Sequence, residues 1–317
     1  MKNRKALIIS ISGYFLTKDE KKLFTSKIKP WGIILFKRNI KDFTQTKKLI
    51  ESIKKLTNDK NYPVLVDQEG GDVTRLPSLN NKKTFSQKFF GDLYTIDKSL
   101  AFQVYKKYID NLCDDLHFLG FNINTVPVLD LSQKNTHKII VNRSYSSDKT
   151  TIKSLGKFCI NKFEKKKIFT VIKHIPGHGC ANADSHIRLP EVNKSYSKLM
   201  KEDFNCFKEI KSKFAMTAHI KLNKIDKDNV VTFSNKIIKD IIRKKIGFKG
   251  ILISDDISMK ALKYDITTNA IKSLKAGCNI ALYCAGKYSE SKKLLLKVPE
   301  LDSFTRKKTS EFYNQLR

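Results

Sequence analysis

The sequence predicts an α/β protein folded as a single-domain (β/α)8 TIM-type barrel, and three observations carry the expectation. Eight short, almost wholly apolar runs recur along the chain, most of them separated by stretches with helical spacing. Strands that are apolar throughout imply a parallel sheet buried on both faces, and strand–helix repetition without a linker fits one barrel domain over residues 1–317. Charged or imidazole side chains also stand at or just beyond the carboxyl ends of those runs: Asp67, Lys173, His174, His219 and Asp255. In a barrel these ends share one face, where active sites form. A doubly wound open sheet is the alternative architecture, but no GxGxxG follows the first run and there is no P-loop.

Taken in order, Ala6–Ser12 is the first strand, and Thr17 with Glu20 forms a capping box for a helix to about Lys27. Gly32–Phe36 is the second strand, followed by a helix over Phe43–Leu56. Pro63–Asp67 is the third and ends on a carboxylate; a long loop with Gly70, Gly71, Arg75 and Pro77 leads to a helix over Leu100–Leu119. Asn122–Val126 is the fourth, with Asp130 and Arg143 in the loop beyond it, then a helix from about Thr150 to Lys165. Phe169–Ile172 is the fifth, with Lys173 and His174 directly after its end. Phe214–Ala218 is the sixth, with His219 at its end, and Ser234 caps a helix to Lys245. Gly250–Ser254 is the seventh and runs into Asp255 and Asp256; a helix closing over Ile271–Ala276 leads to the eighth, Asn279–Cys284, and a lysine-rich helical region ends the chain.

At 317 residues the chain can bury a full core, and 40% hydrophobic content with a mean hydropathy of −0.38 indicates a globular protein. A net charge of +31 would ordinarily suggest nucleic acid or an anionic membrane surface. The lysines, however, are spread over the whole chain, and only eight of the 62 basic residues are arginine, the side chain that base and phosphate recognition favours. A lysine-rich bias accounts for the charge, which makes each arginine that persists informative. Six cysteines without CxxC spacing, mostly inside apolar runs, read as reduced thiols of a cytoplasmic protein. The start MKNRKALIISISGYFL imitates a signal peptide, yet no small-x-small site follows, so it reads as a core strand. No run approaches the ~18 apolar residues of a membrane span.

Chemistry is densest in Val171–His186, VIKHIPGHGCANADSH. Pro176, lacking an N–H, and glycines 177 and 179 exclude helix there. His174 and His178 have the i, i+4 spacing of a zinc pair, with Cys180 nearby, but that spacing converges only on a helix, so no metal site is expected. Asp184 and His186 are two apart. In extended chain they point to one side, and an aspartate accepting from one ring nitrogen leaves the other for proton transfer.

Seven segments then resemble, in order, the β-N-acetylhexosaminidases of glycoside hydrolase family 3: ILFKRN (34–39), VDQEGGDVTRL (66–76), NRSYS (142–146), KHIPGHG (173–179), ADSH (183–186), MTAH (216–219) and GILISDDISM (250–259). The short form with an Asp-Ser-His loop is similar to the bacterial cytoplasmic members of peptidoglycan recycling. The resemblance implies Asp255 as a nucleophile forming a covalent glycosyl-enzyme, and His186 as general acid and then base, oriented by Asp184. It implies Asp67, Arg75, Arg143, Lys173 and His174 as ligands of the terminal sugar's hydroxyls and N-acetyl group; two of the scarce arginines are among them. A histidine acid also fits physically, since it avoids a second anion beside Asp255, and an imidazole pKa near ~6.5 suits proton transfer at neutral pH. The expected partner is a small-molecule sugar, a GlcNAc-containing muropeptide, handled by a monomer without cofactor, metal, nucleic acid or membrane.

Spacing alone leaves Asp256 open as the nucleophile. It leaves His178 and His219 evenly divided between site and structural roles, and Glu69 reads as support for the Gly70–Gly71 turn. Asp72, Cys180 and Asn279 depart from the family's usual residues. Two rival functions stand beside this one: an exo-β-glucosidase of the same family, against which the Asp-Ser-His loop argues, and a basic nucleic-acid-binding protein resting on charge alone.

Overall fold

The structure, a computed structural model, describes residues 4–76, 84–133, 136, 138–181, 185 and 187–317. Among them lie strands β1 (Arg4–Ile9), β2 (Lys29–Leu35), β3 (Val64–Val66), β4 (Ile123–Asn124), β5 (Phe169–Ile175), β6 (Glu191–Val192), β7 (Phe214–Thr217), β8 (Lys221–Leu222), β9 (Ile251–Asp256) and β10 (Ile280–Leu282). Eight of these close into a parallel barrel in the order β1-β10-β9-β7-β5-β4-β3-β2, as the sequence predicts. The barrel closes where β1 pairs with β10, Leu7 opposite Ala281. The barrel strands are buried nearly throughout because the staves pack inward on one another and outward on helices. β6 and β8 pair with each other outside the barrel, an addition too short to show in the sequence.

Helices α1 (Lys18–Thr25), α2 (Phe43–Thr57), α3 (Gln87–Ile96), α4 (Lys98–Leu119), α5 (Lys138–Val141), α6 (Lys149–Lys165), α7 (Tyr196–Lys201), α8 (Ile266–Ala276), α9 (Tyr288–Lys297) and α10 (Ser303–Leu316) surround it. Short polar side chains set where they start. Thr17 and Glu20 close the capping box of α1, and Asp42, Ser86, Asp97 and Asp148 each accept an N–H of the first turn of α2, α3, α4 and α6. The helix that Ser234 precedes is wound as a π-helix over Ile237–Ile246, a wider turn that nothing in its apolar spacing announced. No helix among the described residues is long and apolar enough to cross a membrane.

The amino-terminal end of the barrel is plugged. The Phe312 ring of α10 lies 4.9 Å from Phe169, 5.6 Å from Phe214 and 6.2 Å from Trp31, while Trp31 Nε1 donates to Thr309 Oγ1 at 3.0 Å. Arg4 ties the same end together by donating to the Trp31 carbonyl, the Tyr313 hydroxyl and Asp59. With the base sealed by aromatic packing, the opening lies at the carboxyl ends of the strands.

β5 differs from its expected span in a way that matters. It continues past Ile172 to Ile175, so Lys173 and His174 are strand residues, both buried. Two cationic or imidazole side chains remain inside the sheet because each meets an acid there. The backbone pairing also carries on, with the Leu129 N–H donating to the Lys173 carbonyl at 2.7 Å and the Lys173 N–H to the Pro127 carbonyl at 3.1 Å.

Candidate active site

A cavity of about 300 Å³ lies at the carboxyl ends of the strands. One wall carries Asp67, Arg75, Thr125, Arg143, Lys173 and His174; the other carries Asp255 and Asp256, with Phe36, Met216 and Met259 as apolar lining. A larger groove of about 480 Å³ opens at the plugged end, but its Arg4 and Asp59 are already paired with each other. The charged residues expected at the site line the smaller cavity instead.

The first wall is one ionic network. Asp67, directly after β3, accepts from Lys173 Nζ at 2.6 Å and Thr125 Oγ1 at 2.6 Å through one oxygen, and from Arg75 Nη2 at 3.1 Å through the other. Glu69 takes Arg143 in a two-point grip, Nε at 2.7 Å and Nη2 at 2.8 Å, and also binds Lys173. Burial would raise the Asp67 and Glu69 carboxyls, but the lysine and arginine charges outweigh it and hold both below the usual carboxylate range. Glu69 thus does more than support its turn: it fixes two of the expected sugar ligands. Gln68 sets the third, since its Oε1 accepts the Arg75 and Leu76 N–H groups and folds the loop so that Arg75 returns to Asp67. The five expected sugar ligands, Asp67, Arg75, Arg143, Lys173 and His174, come together here.

Beneath His174 lies a residue that the sequence left as an ordinary loop aspartate. Asp130 is fully buried, and its Oδ2 is 2.6 Å from His174 Nδ1. The available signal was the pattern already used for Asp67 and Asp255, an apolar stretch (here PVLD) running into a carboxylate after a strand.

On the opposite wall the two adjacent aspartates differ in their contacts. Asp256 is occupied: its carboxylate accepts from Ser258 N at 3.0 Å, Ser258 Oγ at 2.6 Å and Cys284 N at 3.0 Å, stitching the β9 loop to the β10 loop. Burial raises its carboxyl above the usual value. Asp255 is aligned from its backbone, its N–H donating to Thr217 Oγ1 at 3.3 Å, and its Oδ1 accepts the Asp256 N–H at 2.8 Å. Cys284, which also lines the cavity, has its thiol pushed well up by burial and the neighbouring carboxylates, so it is not a thiolate.

His219 is structural. Nε2 donates to the Asp256 carbonyl at 3.0 Å, Nδ1 accepts from Thr232 Oγ1 at 2.7 Å, and Thr232 in turn meets Thr217 at 2.8 Å beside Asp255. Burial lowers its pKa, in keeping with a neutral ring. His178 is also buried; its N–H donates to Asp130, and its Nδ1 has no hydrogen-bond partner among the described residues. Asn279 lies away from the cavity, where its Oδ1 accepts from Leu252 N and Arg243 Nη2, an acceptor's task that an amide performs as well as a carboxylate. Asp184 and His186 lie outside the described residues. Ser185 between them is described, and its carbonyl accepts from Ala261 N at 3.2 Å, on the loop that follows Asp255 and Asp256.

Barrel and mouth together define a (β/α)8-barrel enzyme with a polar pocket for a small, hydroxyl-rich ligand. The profile of the glycosyl hydrolase family 3 N terminal domain matches residues 10–310, and the chain belongs to that family. It is 30% identical over 332 residues to a beta-hexosaminidase of Psychromonas ingrahamii, covering 98% of this chain and 90% of that one. A beta-hexosaminidase of Neisseria meningitidis is 32% identical over 294 residues, 89% of this chain and 78% of the relative. Among solved structures, NagZ from Neisseria gonorrhoeae in complex with N-trifluoroacetyl-D-glucosamine superposes with a TM-score of 0.87 at 28% identity, covering 99% of this chain and 90% of that one.

Proposed function

We propose that this chain, a glycosidase of the β-N-acetylhexosaminidase type, is a retaining exo-β-N-acetylglucosaminidase. Its substrates would be peptidoglycan-derived muropeptides of the GlcNAc-1,6-anhydroMurNAc kind, from which it removes the terminal β-linked GlcNAc. The observation that carries the reading is Asp255 at the end of β9 across a 300 Å³ cavity from a preassembled wall of paired charged and polar groups. A cavity closed below by the barrel interior takes a chain end rather than a chain middle. The gonococcal relative's complex with an N-acylated glucosamine supports the choice of sugar.

Asp255 attacks the anomeric carbon, the glycosidic C–O bond breaks, and His186, oriented by Asp184, gives its proton to the departing oxygen. Water then adds to the anomeric carbon of the glycosyl ester, giving its proton back to His186 and freeing Asp255. Asp67, Arg75, Arg143, Lys173 and His174 hold the sugar through both steps. The wall's charges are largely compensated internally, so its donors and acceptors are already oriented when the sugar arrives. Residues 1–317 act as one catalytic domain, a cytoplasmic monomer that needs neither metal nor cofactor, since two side chains account for every proton and bond.

The test compares nitrophenyl β-N-acetylglucosaminide with the β-glucoside, then traps the intermediate. The wild type is expected to prefer the N-acetyl substrate, and Asp255→Ala to lose at least ~10³-fold in rate. His186→Ala should spare glycosylation by the activated substrate and accumulate an adduct on Asp255 visible by mass spectrometry after quenching. Preference for the glucoside, or an adduct on Asp256, would refute the reading.

A further inference from the structure

Asp130 takes no part in the bond-making described above, yet its carboxylate is as fully engaged as those lining the cavity. Oδ1 accepts two backbone amides, His174 N at 3.2 Å and His178 N at 2.7 Å, and Oδ2 faces His174 Nδ1 at 2.6 Å. The residue is 0% exposed. Its own backbone is pinned from the other side, because Ser144 Oγ donates to the Asp130 carbonyl at 2.6 Å, next to Arg143. A buried carboxylate is tolerated only when its lone pairs are filled, and here three donors from one short stretch fill them.

The consequence falls on the imidazole. A carboxylate only accepts, so the nitrogen it faces carries the hydrogen: His174 is fixed with hydrogen on Nδ1. In the neutral ring Nε2 is then the acceptor, and it stands 3.5 Å from Arg143 Nη2, a donor. Both nitrogens are matched in one tautomer and mismatched in the other. Lys173, the neighbour in sequence, is held by a separate pair of acids, Asp67 and Glu69, so nothing else described sets the polarity of the His174 ring.

We infer that Asp130 is a positioning residue for sugar binding, which locks His174 in the Nδ1–H tautomer so that Nε2 meets Arg143 and the substrate as an acceptor. The inference rests on the reading of the cavity as the sugar site. It also has an internal probe. In Asp130→Asn the amide oxygen can keep the two backbone N–H groups, which places the NH₂ group against His174 Nδ1. The ring must then move its hydrogen to Nε2, where it confronts the Arg143 guanidinium. The substitution preserves the local backbone and reverses the ring.

Two measurements on the full-length enzyme test this. In ¹⁵N spectra of histidine-labelled protein, with the His174 signals assigned by their loss in His174→Gln, the wild type should show hydrogen on Nδ1 and a lone pair on Nε2. Asp130→Asn should show the opposite pattern. In kinetics with nitrophenyl β-N-acetylglucosaminide, Asp130→Asn should lower kcat/KM on the order of 10²-fold, mostly through KM. If the effect runs through His174, adding Asp130→Asn to His174→Gln should cost no more than about threefold. A wild-type ring with its hydrogen on Nε2, or full additivity in the double variant, overturns the inference. Should Asp130→Asn fail to fold, the wild-type spectrum still decides. Should the wild type fail to cleave N-acetylglucosaminides, the functional reading falls while the tautomer remains testable.

Discussion

His178 illustrates what burial does to a single side chain in this protein. It is 3% exposed, packed edge-on against His174 with ring centroids 5.7 Å apart, and burial lowers its pKa from 6.5 to about 4. Unfolded chains take up a proton on this ring below about 6.5, whereas the folded ring resists to about 4. Its contribution to stability is therefore complete above 6.5 and is lost as the pH falls through that window, by on the order of 3 kcal/mol. His219, also lowered by burial, adds a loss of the same sign. Asp67, Glu69 and Asp130, held down against burial by their cationic or imidazole partners, extend the loss to more acid pH. Urea unfolding at pH 7 and pH 5 should show the wild type markedly weaker at pH 5, and His178→Phe less so. Equal slopes for the two proteins would mean that the ring titrates as in an open chain.

At the level of elements, α3 is the piece the sequence hid. Its segment, QKFFGDLYTI, mixes aromatic and β-branched residues with a glycine in mid-helix, all poor helix formers, so no helical signal stood out. The structure shows why the glycine is there. A Cβ on Gly91 would lie 1.7 Å from the Tyr145 carbonyl oxygen, so α3 approaches the backbone of the Arg143 loop more closely than any side chain allows. One turn earlier, Gln87 Nε2 donates to the Arg143 carbonyl at 2.7 Å and to the Val128 carbonyl at 2.9 Å. The helix is the mount for Arg143. Gly91→Ala should destabilise the fold by about 1–3 kcal/mol, because a backbone carbonyl cannot step aside as a flexible side chain would. It should also raise KM more than it lowers kcat, since the loop it pushes carries Arg143, a proposed sugar ligand. Unchanged KM in a folded variant would separate α3 from the site.

Across the whole molecule, 62 basic residues face 31 acidic ones, so even complete one-to-one pairing would leave half of the basic charge uncompensated. Exposed pairs such as Lys88–Asp92 and Lys106–Asp110 each contribute only ~0.3–0.5 kcal/mol. The folded state gathers the excess charge into a compact volume and is opposed by its own repulsion. Sodium chloride raised from about 0.02 to about 0.5 M shortens the screening length several-fold and should raise the thermal unfolding midpoint. A falling midpoint would show that attractive pairs outweigh the net charge.

What the sequence determined by itself is what depends on local pattern. Apolar runs such as GIILF and GILIS could only be strands buried on both faces, Thr17 with Glu20 could only open a helix, and eight such units imply a closed barrel with Asp67, Lys173, His174 and Asp255 at one mouth. What only the tertiary structure decided is which acid meets which base. Asp255 and Asp256 are equivalent as neighbours in sequence. They part because Cys284, on the adjacent strand's loop, and Ser258 engage the second carboxylate, while Thr217 aligns the first through its backbone. Glu69 and Asp130 looked like loop residues because their partners, Arg143 and His174, lie 74 and 44 positions away. Hydrogen bonds and ion pairs are satisfied in space, and a linear pattern reports only those whose partners fall within a helical turn or a strand repeat.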